Sequence, residues 1–214
     1  MNTLIITGGG MDIPFTTSYI KEQKFDYIIA ADKGVEHAYH LGVKPDYIMG
    51  DFDSISPVMK EAMETYDVPI ETFPPEKDYT DTHLAMMKAM ELGATTMTLV
   101  GATGTRLDHV MANIGLLSMA LDAGVRTYIV DAHNKITMID GHYEIVKDQM
   151  FGDFVSLIPY TEKVTGLTLK GFYYPVEDFT LTIGISRGIS NEVVDEIATI
   201  DLANGQLLVI ESQD

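Results

Sequence analysis

The chain is 214 residues long and carries 14 Lys and Arg against 32 Asp and Glu, a net charge of -18, with neither cysteine nor tryptophan. That length holds one sizeable core or two modest ones, and so acidic a surface argues against nucleic acid as a partner because a phosphate backbone would be repelled. The missing cysteine excludes disulfides, thiolate metal sites and cysteine nucleophiles, no run approaches the roughly 18 apolar residues of a membrane span, and "MNTLIITGGG" lacks the basic start of a signal peptide, so the expected compartment is the cytoplasm.

From the start to residue 131, short apolar runs alternate with segments of helical spacing. "TLIIT", "DYIIAAD", "DYIMGD", "IETF", "MTLVG" and "TYIVD" read as strands. "DTHLAMMKAMELG" is predicted to be a helix with Leu84, Met87 and Leu92 on one face and Gly93 at its end, and "RLDHVMANIGLLSMALDAG" a second that closes on Gly124. Such alternation, with near-continuous apolar strands, implies a doubly wound, mostly parallel sheet covered on both faces. After residue 131 the period drops to two, in "KITMID", "YEIVK", "FVSLIPY", "TGLTLKG", "FTLTIG", "VVDEIATID" and "GQLLVIE". That spacing implies an antiparallel β-sandwich or barrel. The predicted organisation is an α/β domain over 1–131 and a β domain over 132–214, with "DAHNK", residues 131–135, as the hinge.

Ligands of a doubly wound sheet bind beyond the carboxyl ends of its strands, so the residues just after each apolar run are the ones that matter. They are "GGG", "DKG", "GDFDS", "PPEKDYTD" and "GATGTRLDH". Gly8 and Gly10 begin a G-x-G, but Ile13 stands where a dinucleotide fingerprint needs its third glycine, and there is no P-loop motif. In "GATGTR", glycines such as Gly104 just before a helix can bring backbone N–H groups against phosphate, and Arg106 can add a charged donor. If the segment is extended, Asp51 and Asp53, two apart, face one side. Asp78 and Asp81 flank the start of a helix that Thr80 or Asp81 can cap, and Asp108 lies in the first turn of the next. Clustered like charges resist joint ionisation unless a proton or a cation intervenes. A hard divalent ion held by carboxylates, water and substrate phosphates is the usual magnesium arrangement, which points to metal-assisted phosphoryl chemistry. Six histidines lack metal-ligand spacing and read as surface or helix-face residues. With no nucleophile elbow, no H-E-x-x-H and no cysteine, no side chain stands out as the nucleophile, which favours transfer between two bound substrates.

"PDYIMGDFDS", "EKDYTD", "GTRLDH" and "SRGISNE", in this order, resemble the thiamine pyrophosphokinase family over essentially the whole chain. The resemblance implies transfer of diphosphate from ATP to the hydroxyl of thiamine, giving thiamine diphosphate and AMP. It implies a magnesium requirement and a homodimer with the thiamine site at the subunit interface. It assigns magnesium and the ATP phosphates to Asp51, Asp53 and Asp81, with Asp78 and Thr80 in the same cluster, and gives Arg106 the part of phosphate clamp. Asp108 matches an aspartate that orients or deprotonates the thiamine hydroxyl. Ser190 and Asn191 match the pair that hydrogen-bonds the aminopyrimidine, and Lys77 sits where some relatives carry glutamine. Asp32 is open between a ribose contact and a structural turn. The stacking tryptophan of some relatives has no counterpart, leaving Tyr173 and Tyr174 as aromatic candidates. The rival readings are a pyrophosphokinase for another heterocyclic alcohol such as a hydroxymethylpterin, a non-catalytic nucleotide-binding module, and a two-metal hydrolase.

Overall fold

The computed structural model describes residues 1–53, 55–64, 66–74 and 78–214. The chain forms two compact units, Met1–Ala132 and His133–Asp214. In the first, strands β1 (Asn2–Ile6), β2 (Tyr27–Ala31), β3 (Tyr47–Gly50), β4 (Ile70–Thr72), β5 (Thr96–Val100) and β6 (Arg126–Val130) alternate with helices α1 (Ile13–Glu22), α2 (Gly34–Leu41), α3 (Pro57–Glu64), α4 (Asp81–Glu91) and α5 (Leu107–Asp122). The strands are parallel, in the order β4-β3-β2-β1-β5-β6. The chain therefore winds outward from β1 through β2, β3 and β4, then returns to lay β5 on the other side of β1. This reversal between β1 and β5 opens a crevice beyond their carboxyl ends, the place where such sheets take ligands.

Both faces of this sheet are covered at its central strands. Leu4 and Ile6 join an apolar cluster with Val35, Ala38 and Leu41 of α2 and Met59 and Met63 of α3, while Ile5, also fully buried, points to the opposite face. On that face α4 packs across β1, β2 and β3. The face of α4 that is buried is Ala85, Met86 and Ala89, not the one predicted. Met87 and Leu92 are exposed and Leu84 is half-buried. Helical spacing alone favours the larger side chains, but a helix lying close over three strands has room for alanine at the contact. Thr80 caps this helix by accepting from His83 N, at 3.2 Å. Left-handed glycines at Gly93 and Gly124 follow α4 and α5, as expected.

In the second unit, β7 (Asn134–Ile139), β13 (Leu207–Ser212) and β9 (Phe154–Pro159) pair antiparallel in the order β7-β13-β9. A four-stranded antiparallel sheet runs β11 (Val176–Thr182), β10 (Lys163–Lys170), β12 (Ile197–Asp201), β8 (Tyr143–Val146). Inward residues of both sheets, among them Leu157, Val164, Leu167, Leu181, Ile200 and Val209, form one apolar core. The fold is thus the expected α/β unit followed by an antiparallel β-sandwich. Within "VVDEIATID" only Ile197–Asp201 is strand, and Val193 makes an isolated bridge to Phe172. No helix among the described residues is long and apolar enough to cross a membrane.

On the outer surface of the sandwich, His142 sits between two carboxylates, Asp201 at 2.7 Å from Nδ1 and Glu144 at 3.3 Å from Nε2. Its pKa is raised, first by the hydrogen bond to Asp201 and then by that to Glu144. A raised folded-state pKa means that this contribution to stability is fully present below the ordinary imidazole value and is lost as pH rises through the raised one. In melting experiments from about pH 6 to about pH 9, wild type is expected to gain more stability on the acid side than His142→Gln. Parallel pH profiles for the two proteins would remove the role assigned to this contact.

Candidate active site

The crevice between β1 and β5 is a cavity of about 710 Å³, lined by Thr7 to Gly10 after β1, Asp32 and Lys33 after β2, Thr80 to Thr82 at the start of α4, and Gly101 to Arg106 with His109 and Asn113 around the start of α5. Two helix N-termini meet there, each bringing first-turn N–H groups and the positive end of a dipole, so the cavity favours an anion. The turns after β1 and β5 are tied to each other: Gly9 N donates to Gly101 O and Gly10 N to Thr103 O, each at 2.7 Å. A Cβ on Gly9 would lie 2.3 Å from Gly101 O and 2.4 Å from Thr103 O. The "GGG" run is therefore set by close approach of two backbones, a use of glycine that differs from the dinucleotide fingerprint.

Beside the cavity three carboxylates converge. Parallel pairing of β2 with β3 sets Ala31 against Met49, so Asp32 and Gly50 come next to each other just past the strand ends. Gly50 has φ +152°, and a Cβ there would sit 2.9 Å from Asp32 Cα. Glycine lets the chain pass and delivers Asp51 beside Asp32. The following turn differs from the extended segment expected of "GDFDS". Phe52 is left-handed, with φ +56°, and its ring is buried in the apolar cluster beneath β3. Asp53 N donates to Asp51 Oδ1 at 3.2 Å. Asp32, Asp51 and Asp53 thereby each present an oxygen within 4.8 Å of the other two.

Of the predicted metal set, the structure brings Asp51 and Asp53 together and adds Asp32. Asp81, at the first position of α4, lines the cavity but stands outside that group. An all-oxygen set of three carboxylates suits a hard divalent ion such as magnesium. Asp78 is exposed just before the Thr80 cap, Gly104 lines the cavity, and Ser54 and Lys77 lie outside the described residues.

Arg106 and Asp108 form a two-point contact, Nη2 to Oδ2 at 2.6 Å and Nε to Oδ1 at 3.3 Å. The Arg106 hydrogen bond holds the Asp108 carboxyl below its usual range, and the same bond raises the guanidinium. Asp108 is thus ionised but weakly basic, which suits orienting a hydroxyl better than removing its proton.

In the second unit, Ser190 is exposed and left-handed, φ +53°, its N–H held by Ser156 Oγ at 3.0 Å. Asn191 is buried, and its amide braces a neighbouring segment: Oδ1 accepts from Tyr174 N and Glu192 N, and Nδ2 donates to Tyr174 O, each at 3.0 Å. The bracing holds Tyr173 and Tyr174 outward, 62% and 65% exposed, with their rings edge to face at 4.8 Å. They border an apolar cavity of about 380 Å³ whose wall includes Leu167, Phe179 and Asn191. The guanidinium of Arg187, also at this cavity, lies 4.4 Å over the Phe179 ring.

Two residues that bond to the turns of the first cavity are not marked by the sequence pattern. His37, expected on a helix surface, is half-buried and places Nε2 2.9 Å from Gly9 O. Asn113, buried on α5, donates from Nδ2 to Ala102 O at 2.8 Å. Their partners are backbone carbonyls distant in sequence, so no spacing rule marks them.

The family model for "Thiamin pyrophosphokinase, catalytic domain" matches residues 20–129, and that for "Thiamin pyrophosphokinase, vitamin B1 binding domain" matches residues 142–207. Over 217 aligned residues, spanning all of both chains, the sequence is 35% identical to a thiamine pyrophosphokinase of Bacillus subtilis. It is 24% identical to Thiamin pyrophosphokinase 1 of Caenorhabditis elegans, covering 79% of this chain and 71% of that protein. The crystal structure of the Bacillus subtilis protein matches with TM-score 0.90 and 30% identity, covering 100% of each chain. That of the Geobacillus thermodenitrificans thiamin pyrophosphokinase matches with TM-score 0.85 and 31% identity, covering 100% of this chain and 98% of the other.

Proposed function

Because the chain belongs to the thiamine pyrophosphokinase family, whose members are diphosphotransferases, we propose that its two units divide one reaction: diphosphate passes from ATP to the hydroxyl of thiamine. The observation that carries the assignment of ATP is the anion-favouring cavity at the β1/β5 reversal with three carboxylates at its margin. In this reading the N-termini of α4 and α5 and the Arg106 guanidinium take the phosphates. Asp32, Asp51 and Asp53 hold magnesium, which when bound neutralises phosphate charge. Asp81 faces the same phosphates from α4, with Thr80 and Asp78 shaping that approach.

The hydroxyl oxygen of thiamine attacks the β-phosphorus. The bond from that phosphorus to the bridging oxygen breaks, AMP leaves with the oxygen, and the hydroxyl proton passes to solvent. Asp108 orients the hydroxyl by accepting its hydrogen bond. Most of the rate then comes from holding the two reactants in line and from charge stabilisation. Thiamine is assigned to the second unit, where Tyr173 and Tyr174 offer aromatic faces next to Ser190, and Asn191 acts through its hold on Tyr174. The working form in this proposal is a cytoplasmic homodimer with the thiamine site at the subunit interface. The exposed tyrosine pair supports it, since aromatic residues left in solvent are favoured at interfaces.

With ATP and magnesium present, AMP release is expected to require thiamine and to match formation of thiamine diphosphate mole for mole. AMP released without an acceptor would point to the hydrolase reading, and faster turnover with a hydroxymethylpterin would move the second substrate.

A further inference from the structure

The carbonyl oxygens that edge the ATP cavity are a hazard, because an amide oxygen facing a phosphate repels it. Four of them are engaged by donors of this chain. Gly101 O accepts from Gly9 N at 2.7 Å and from Thr7 Oγ1 at 2.6 Å, and Thr103 O accepts from Gly10 N at 2.7 Å. These bonds join the two turns to each other. The remaining two come from helices on either side: Gly9 O is met by His37 Nε2 of α2 at 2.9 Å, and Ala102 O by Asn113 Nδ2 of α5 at 2.8 Å.

We propose that His37 and Asn113 are positioning residues for ATP, which hold the carbonyls of the two glycine turns away from the polyphosphate and so keep the cavity receptive to an anion. The inference rests on the reading of this cavity as the ATP site. Only the Nε2–H form of the ring, neutral or protonated, can make the contact to Gly9 O, because a carbonyl accepts and cannot donate. Burial lowers the His37 pKa, with the Gly9 contact opposing it in part, so the neutral tautomer that carries the proton on Nε2 serves at neutral pH. Asn113 is 8% exposed, so its amide is fixed by packing as well as by its bond. Neither side chain is assigned a contact with ATP. Both act by fixing what ATP meets, and their removal frees the turns to rotate an oxygen into the cavity.

The test compares His37→Met with His37→Gln, which are alike in length, though only glutamine keeps a donor where Nε2 stands. The probes are α,β-methylene-ATP with magnesium, titrated by calorimetry, and pyrithiamine for the second site. His37→Met is expected to weaken the nucleotide analogue about tenfold, which is the loss of one hydrogen bond's worth of about 1.4 kcal/mol. His37→Gln should bind it within about twofold of wild type, inside the scatter of such contributions. Pyrithiamine affinity should stay unchanged in both, and in steady state the KM for ATP should rise in His37→Met while the KM for thiamine does not. Asn113→Ala provides an independent arm with the same split. Equal nucleotide affinity in wild type, His37→Met and Asn113→Ala would overturn the inference, as would parallel loss of both ligands. Failure of wild type itself to bind the analogue would instead overturn the ATP reading of the cavity.

Discussion

Asp53→Ala is expected to lower turnover by about 10³ or more, since the charge stabilisation lost with a bound divalent ion is worth several kcal/mol. Asp53 is exposed and its side chain supports no core, so the variant should keep the wild-type circular dichroism and melting temperature. Asp32→Asn sharpens the experiment, because the sequence left Asp32 between a ribose contact and a turn whereas the structure sets it beside Asp51 and Asp53. If Asp32 is an ion ligand, Asp32→Asn should, like Asp53→Ala, lower the turnover reached at saturating magnesium as well as move the magnesium dependence of the rate to higher concentration. As a ribose contact it should raise only the KM for ATP. Following AMP release over a magnesium titration decides between them, and wild-type turnover of Asp53→Ala at saturating magnesium would end the metal assignment.

The largest stability effect is expected in the second unit. Glu211 on β13 is buried, 3% exposed, and accepts from Lys135 Nζ on β7 at 3.1 Å and from Phe151 N at 2.8 Å. Lys135→Met leaves that carboxylate enclosed without its cation, which costs about 3–5 kcal/mol. Lys135→Met combined with Glu211→Leu should recover a good part of the loss, because an apolar pair in the same space has no charge to desolvate. Urea unfolding of the two single variants and the double variant measures both numbers. Strictly additive losses would show that the two side chains do not act as a pair.

Much of this architecture can be read directly from the chain. The hydrophobic period changes near residue 131, where strand-helix alternation gives way to strands alone, and every apolar run quoted above overlaps a strand. What local pattern could not supply falls into two kinds. Spacing points to the wrong face of helix α4 because it does not report how closely a helix approaches its sheet, and alanines at the contact look like surface residues until the sheet is known. The site contacts that local pattern does not mark depend on neighbours far along the chain. Asp32 meets Asp51 through the β2/β3 register, and His37 meets a carbonyl 28 residues away. Asn191, which its motif matches to a ligand contact, has a second task that no motif shows, since its amide also braces the backbone of Tyr174.

Phe52 joins the chemistry of the rim to the interior. A left-handed phenylalanine costs roughly 1–3 kcal/mol, and sinking its ring into the cluster with Ile55 and Met59 returns a similar amount, about 1.5–3 kcal/mol. The turn that aims Asp51 and Asp53 therefore holds its shape only while the ring is enclosed. If these carboxylates hold the proposed ion, its affinity and core integrity become one linked equilibrium: a hollow carved beneath Phe52 would act as a chelator does, loosening magnesium without altering a ligand, and a captured ion would in return lend heat resistance to that corner of the first unit.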